Sequence, residues 1–356
     1  MRVTKLDGLR GIFSLAVIFY HYSSYYLPDF ISNLFFIRES YTFVDFFFVL
    51  SGFVIAYNYN TLGTKKDLWL YLKKRFIRIY PLLFFTTIIF LIFEITANIL
   101  FPKLVDTHES IQMSFFKTID TLFLTNSTPI FRNTGMGMNY PSWSISSEMI
   151  SYVIFGVISI YFIKVKKFLA IVFVVFLTFL FLIWKKYFFF LGDYGFIRGL
   201  VSFNFGYFVW YFSQKKIRLN NNLEYLIPII LLILLQQLNS YDGEFKQMFG
   251  LFTIPLFFGL SIFTLLKTNG FLSEFLDKKP LQFLGKVSYS LYLNHSLLII
   301  IIPRGFFKLL KIPQNTVTEI LVFIVSIIII IFYSNFTYKY IEIKGGKILR
   351  KILFKN

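Results

Sequence analysis

Residues 168–184 read FLAIVFVVFLTFLFLIW, a run without a single charge, held between Lys164, Lys166 and Lys167 on one side and Lys185 and Lys186 on the other. As a helix this run rises about 25 Å at 1.5 Å per residue, close to the thickness of a bilayer's hydrocarbon layer. A soluble domain must present a charged surface to water, and a segment apolar all round does not. Working outward, similar runs predict spans at about 9–26, 42–59, 79–101, 143–163, 168–184, 196–212, 223–238, 249–266, 283–302 and 317–338. Breaks fall at Pro102, Pro141, the basic run at 164–167 and the run Asn220–Asn222. The sixth span, with Asn204 and two glycines, and the seventh are the weakest.

Composition agrees. The 356 residues are 56% hydrophobic, and 50 Phe and 23 Tyr raise the aromatic share to 22%, which suits lipid-facing helices with interfacial belts. The mean hydropathy is +0.67. The predicted fold class is therefore all-α: a polytopic transmembrane helix bundle of about ten helices. Residues 1–340 form the transmembrane domain and 341–356 a short basic cytoplasmic tail, read as a surface helix or tether. Arg2 and Lys5 ahead of an apolar stretch resemble a signal peptide, but no small-residue cleavage site follows, so the segment is read as a retained first span.

Lys and Arg number 36 against 18 acidic residues, a formal charge of +18. In a soluble protein that excess points to nucleic acid. Here the basic residues lie mostly in short loops between apolar runs. An even number of spans puts both termini on one side, and placing them in the cytoplasm sorts 24 basic residues inside and 11 outside, Arg198 among the latter, with Arg10 within the first helix, a long inner loop at about 60–78 and a long outer loop at about 102–141. That split follows the positive-inside rule, so no nucleic-acid partner is expected. The absence of cysteine excludes a thiol nucleophile, a Cys zinc site, a disulfide and S-acylation. With three histidines and no clustered ligands, no metal site is expected either.

Several polar residues sit where a lipid-facing helix would not have them. Arg10 and His21 are eleven positions apart in the first span, about 20° past three full turns, so both project from one face, about 16 Å apart along the axis. Asp7 stands one turn before Arg10 and can pair with it. On the residues alone, His21 is either a general base or an interfacial histidine on a backbone carbonyl, and Arg10 either faces the interior or snorkels to headgroups. Asp45, in Val44–Phe53, either orients a histidine or is an interfacial carboxylate; Ser51 follows it in the same span. Arg75 and Arg78 are one turn apart ahead of the third span, as a bidentate phosphate clamp or as a positive-inside anchor. Glu148 enters the fourth span in Trp143–Glu148, and Tyr289 and His295 lie in the ninth, in Gly285–His295. Each alone is also explained as polar glue between helices.

In order, Leu6–Arg10 with His21, Asp45–Phe53, Arg75–Pro81, Trp143–Glu148 and Gly285–His295 resemble acyltransferase family 3, membrane enzymes that include bacterial O-acetylases of surface saccharides. The resemblance runs from Leu6 to about Glu342. It implies an acyl-CoA donor, with acetyl-CoA the default, on the cytoplasmic side of the bacterial inner membrane. It implies an acceptor hydroxyl on a saccharide or lipid-linked saccharide (O-antigen, capsule, exopolysaccharide or lipopolysaccharide) at the outer side. Carried over, His21 is the catalytic histidine with Arg10 as its companion, and Arg75 and Arg78 match the pair that engages the coenzyme A phosphates. From the residues themselves, Asp45 is added as a catalytic candidate that could orient His21, and Asp7, Ser51, Glu148, Tyr289 and His295 as candidate supporting groups. Two positions depart from the family pattern: Ile343 and Lys344 follow Glu342 where Glu-x-Pro is usual, and Asn294 replaces a Trp before His295. Relatives often add an extracytoplasmic hydrolase-like domain; this chain is expected to lack one and to act alone, as an oligomer, or with a separate periplasmic partner. A flippase or transporter for a lipid-linked saccharide would use the same intramembrane Arg, His and Asp. Such proteins show repeated halves with matching broken helices, and no internal repeat is found here.

Overall fold

The computed structural model describes residues 3–23, 26–100, 110–131, 133–162, 165–185 and 191–354, and every regular element among them is helical. The α-helices of six residues or more are α1 Thr4–Ser23, α2 Phe43–Tyr59, α3 Lys65–Leu100, α4 Ile111–Leu122, α5 Trp143–Tyr161, α6 Val165–Lys185, α7 Leu191–Ser213, α8 Leu226–Ser240, α9 Gly243–Lys267, α10 Phe271–Leu276, α11 Lys279–Arg304, α12 Thr316–Thr337 and α13 Lys344–Leu353. Seven segments among the described residues are long and apolar enough to cross a membrane: Phe35–Tyr59, Lys65–Leu100, Tyr140–Tyr161, Asn221–Ser240, Gly243–Lys267, Lys279–Leu309 and Thr316–Leu353. The chain is a multi-pass helical membrane protein. Helices α1, α6 and α7 occupy the positions of the first, fifth and sixth predicted spans.

Two helix pairs organise the bundle. Helix α1 packs along α11, and α2 along α7, which also meets α5 and α9. Small residues make the first approach: a Cβ on Gly285 of α11 would lie 1.9 Å from the Asp7 carbonyl oxygen of α1. Nothing but hydrogen fits there, so the two backbones touch, which in lipid is how helices gain contact without a hydrophobic drive. The apolar core threads through α1, α2, α5, α7 and α9, with Phe13, Phe46 and Phe258 stacked edge to face at its centre. On α12 the exposed side chains include Leu321, Ile328 and Phe332, part of an apolar face suited to lipid.

Three expectations need correction. The basic stretch read as an inner loop over 60–78 is helical from Lys65, so Arg75 and Arg78 stand on a 36-residue helix. Its Pro81 lies inside the helix rather than ending it. A proline leaves the carbonyl four residues before it, here Ile77, without its helical donor; two residues from Pro81, Tyr289 of α11 donates to the Ile79 carbonyl at 2.8 Å and ties this stretch of α3 to its neighbour. The outer segment read as a loop over 102–141 contains α4, whose N-cap Ser110 accepts from the Met113 N–H at 3.2 Å; residues 101–109 and 132 of that segment lie outside the described residues. Arg198, counted among outer loop charges, is buried in α7.

Candidate active site

The site begins with three arginines from two helices. On α3, Arg75 donates from Nη2 to the Tyr59 hydroxyl at 3.2 Å and lies over the Tyr59 ring at 5.2 Å, while its buried Nε has no partner among the described residues. One turn on, Arg78 pairs with Glu342 and lies over the Tyr289 ring at 5.4 Å. The second Glu342 oxygen accepts from Ser290 at 2.8 Å. Arg10 on α1 pairs with Asp7 at 3.4 Å. All three arginines face an open mouth of about 860 Å³ that also takes in Lys74, Lys286, Lys347 and Arg350, seven cations against the carboxylates of Asp7 and Glu342. Such a basin attracts polyanions.

The same three arginines line the near wall of a deeper cavity of about 200 Å³. Its walls bring together Ser51, Glu148 and Tyr289, residues singled out separately in the sequence, with Tyr152, Ser144 and Tyr292. Ser51 donates to Glu148, which also accepts from Tyr152 at 2.5 Å. The Tyr292 hydroxyl accepts from Ser144 at 2.9 Å and donates to the Pro141 carbonyl at 3.1 Å. The cavity is thus a largely apolar slot, walled by Phe47, Phe48 and Ile79, whose lining also carries the three arginines, Glu148 and the hydroxyls of Ser51, Ser144, Tyr152, Tyr289 and Tyr292.

Beyond Tyr292 stand the two histidines. The Tyr292 and His295 rings are 5.9 Å apart. His295 Nε2 lies 3.0 Å from His21 Nδ1, and the two rings stack at 5.0 Å. His295 Nδ1 lies 3.3 Å from the Leu291 carbonyl oxygen. Tyr140 packs edge-on against both rings, 4.9 Å from His21. Next to them Asn139 is fixed on three sides: its amide donates to Thr86 Oγ1 at 3.2 Å and to the Leu293 carbonyl at 3.0 Å, and its oxygen accepts from Ser296 at 2.7 Å. Asn294, where a Trp is usual, donates to Thr337 of α12 at 2.7 Å and to the Ser290 carbonyl at 2.8 Å.

Asp45 is placed elsewhere. Its Oδ2 accepts from Arg198 Nη2 at 2.6 Å and its Oδ1 from Ser202 at 2.8 Å, so α7 and not a histidine takes its carboxylate. Arg198 also donates to the Tyr41 carbonyl at 3.1 Å and lies over the Trp143 ring. Sequence reading missed Arg198 and Asn139: the first stands at the start of the sixth predicted span yet was counted with the outer charges, and the second carries no spacing signal.

An acyltransferase domain model matches residues 3–335, nearly the whole described bundle. The chain belongs to acyltransferase family 3. Relatives within reach of sequence comparison agree with that membership. The peptidoglycan O-acetyltransferase OatA of Listeria monocytogenes is 25% identical over 318 residues, covering 82% of this chain and 49% of the relative. The O-acetyltransferase OatA of Staphylococcus aureus is 25% identical over 365 aligned positions, covering 95% and 56%. "Protein 2 in picA locus" of Rhizobium radiobacter is 29% identical over 156 residues, 42% of this chain and 78% of the relative. The chain therefore spans about half the length of the two OatA relatives. No solved structure matches. The family model covers α1, α3 and α11 alike, so Arg10, Arg75, Arg78 and the histidine pair lie inside the shared domain, whereas Glu342, Lys347 and Arg350 lie beyond its matched residues.

Proposed function

We propose that this family member is a membrane O-acyltransferase that moves an acyl group, acetyl by default, from acyl-CoA to a hydroxyl of a cell-surface saccharide. One observation carries the reading: a cationic mouth, a narrow apolar slot and a histidine pair follow one another through the bundle. Ten spans with both termini in the cytoplasm put Arg75 and Arg78 on the side where coenzyme A is found, and the charge split supports that orientation. The acceptor then approaches from the outer side of the bacterial cytoplasmic membrane, alone or presented by a partner or second copy.

The hydrogen bonds assign the proton. The Leu291 carbonyl can only accept, so His295 Nδ1 carries a hydrogen. In the neutral ring His295 Nε2 is then an acceptor, and His21 Nδ1 donates to it. That leaves the lone pair of His21 on Nε2, which supports His21 as the general base and His295 as the residue that sets its tautomer. A thioester is already activated, whereas an alcohol is a poor nucleophile at neutral pH. As the acceptor oxygen bonds to the thioester carbonyl carbon, its proton passes to His21 Nε2, directly or through a relay. The C–S bond then breaks, and the thiolate of coenzyme A recovers that proton. Arg10, about 16 Å down the same helix face, steadies the donor's arm in the slot.

The test is transfer from labelled acetyl-CoA by the purified chain in liposomes, paired with mass spectrometry of surface glycans from cells with and without it. An acylated glycan lost with the protein is the expected result. Unchanged glycans together with no label transferred would overturn the reading.

A further inference from the structure

The C-terminal helix α13 looks in sequence like a membrane tether, and its outward side chains Ile348 and Ile352 are exposed and apolar as an interfacial helix requires. Its other edge is not free. Gly345 and Gly346 lie flat against α3: a Cβ on Gly345 would come within 2.9 Å of the Pro81 Cβ, and one on Gly346 within 3.6 Å of the Ile77 carbonyl oxygen. At the far end Lys73 of α3 donates to the Leu353 carbonyl at 3.0 Å and lies over the Phe354 ring at 5.5 Å. The helix is thus fastened at both ends to the helix that bears Arg75 and Arg78.

This fastening turns Lys347 and Arg350, one turn apart, into the wall of the cationic mouth. Lys286 of α11 lines the same mouth and lies over the Tyr338 ring. Arg78 and Arg10 are already occupied by Glu342 and Asp7. Lys347 and Arg350 make no ion pair among the described residues. The mouth therefore holds two positions of unequal character: arginines with partners at the throat, and unpaired cations at the rim.

Resting on the acyl-CoA reading, we infer that Lys347 and Arg350 of α13 bind the 3′-phosphate of the donor's adenosine end, while Arg75 and Arg78 at the throat hold its diphosphate. Coenzyme A carries just these two phosphate groups at the end remote from the thioester. The arm must enter the slot first, which leaves the adenosine end at the rim. An arginine fork suits a phosphate dianion, and a lysine beside it adds a point charge. The shared chemistry is phosphate, and a lipid headgroup offers it too, so the two sources need separate arms.

The purified full chain is reconstituted in phosphatidylcholine liposomes, with and without phosphatidylglycerol, and supplied with acetyl-CoA or acetyl-3′-dephospho-CoA. The wild type is expected to favour acetyl-CoA by roughly tenfold or more in KM, the scale of one or two charge-assisted hydrogen bonds. The double variant Lys347→Gln, Arg350→Gln removes exposed charges and leaves the packing glycines in place. It should raise KM for acetyl-CoA to that of the dephospho donor, leave the dephospho KM and both kcat values as they were, and do so in either lipid. Discrimination kept at the wild-type level overturns the inference. So does an equal loss with both donors, which marks α13 as structural, or a loss confined to phosphatidylglycerol and blind to the phosphate, which marks it as a headgroup site. Transfer from neither donor by the wild type would instead sink the acyl-CoA reading itself.

Discussion

At the residue scale the site divides into groups that act and groups that hold. His21 is the proposed base, and replacing it by Ala should lower transfer by about 10² to 10⁴ in kcat, the usual range for general base catalysis, with the protein still inserted and donor KM little changed. Replacing His295 by Ala deletes the acceptor for His21 Nδ1–H and frees the ring to adopt the other tautomer. The loss should be smaller than for His21, and the double variant should be no worse than His21→Ala, because the second residue works only through the first. Steady-state transfer rates in liposomes check both; additive losses would remove His295 from that role. Asp45 and Arg198 belong with the holders. Each is about 3% exposed, and breaking one side leaves an unpaired charge inside the bundle. Asp45→Asn or Arg198→Ala should cost about 3–5 kcal/mol and show as a lowered unfolding temperature in detergent. A variant as stable as the wild type but inactive would return Asp45 to the chemistry.

At the element scale the histidine pair depends on how closely α1 and α11 approach. Gly285 and the Asp7 carbonyl touch at the cytoplasmic-proposed end of that interface, far along both helices from His21 and His295. Gly285→Ala forces the backbones apart and should cost about 1–3 kcal/mol as overpacking does. Because a 3.0 Å bond between two rings tolerates little displacement, the transfer rate should fall further than the stability change alone accounts for. Rate and unfolding temperature measured on one preparation test this; unchanged transfer would show that the interface has slack. The long α3 makes the complementary point for the donor. By carrying Arg75 and Arg78 on one rigid helix with Tyr80 and Pro81, it fixes the throat against Glu342 and Tyr289 on neighbouring elements. Arg75→Ala with Arg78→Ala should weaken acyl-CoA binding at least tenfold, with lysines restoring only part of it, since an ammonium keeps the charge and loses the fork. Normal donor binding by the alanine pair would leave these arginines as an orientation signal.

At the scale of the whole molecule the proposal requires the two ends of the site to face opposite compartments. A reporter joined after Asn356 is expected to read as cytoplasmic, and one placed within α4 or the turns that follow it as extracytoplasmic. A cytoplasmic signal from the α4 region would invert the bundle and put the arginine mouth away from the donor. The exposed apolar faces of α6 and α12, with Phe173, Phe176, Leu321 and Phe332, are then the lipid contacts on either side.

The membrane class of this protein was legible without any structure, because bilayer thickness and the cost of unsatisfied backbone act on each segment by itself. Residues 168–184 announce a span wherever they are placed. The arginine pair and His21 were also legible as candidates, since an ionisable group in an apolar run is costly enough to stand out alone. Partners were not. That Asp45 answers Arg198, that Glu342 answers Arg78, and that His295 rather than a carboxylate meets His21 are decided between residues 153 to 274 positions apart in the chain. Hydropathy is a property of one segment, whereas a hydrogen bond needs the register and rotation of two. In lipid that register is set by where small residues let backbones meet, and only the tertiary structure shows which glycine faces which helix.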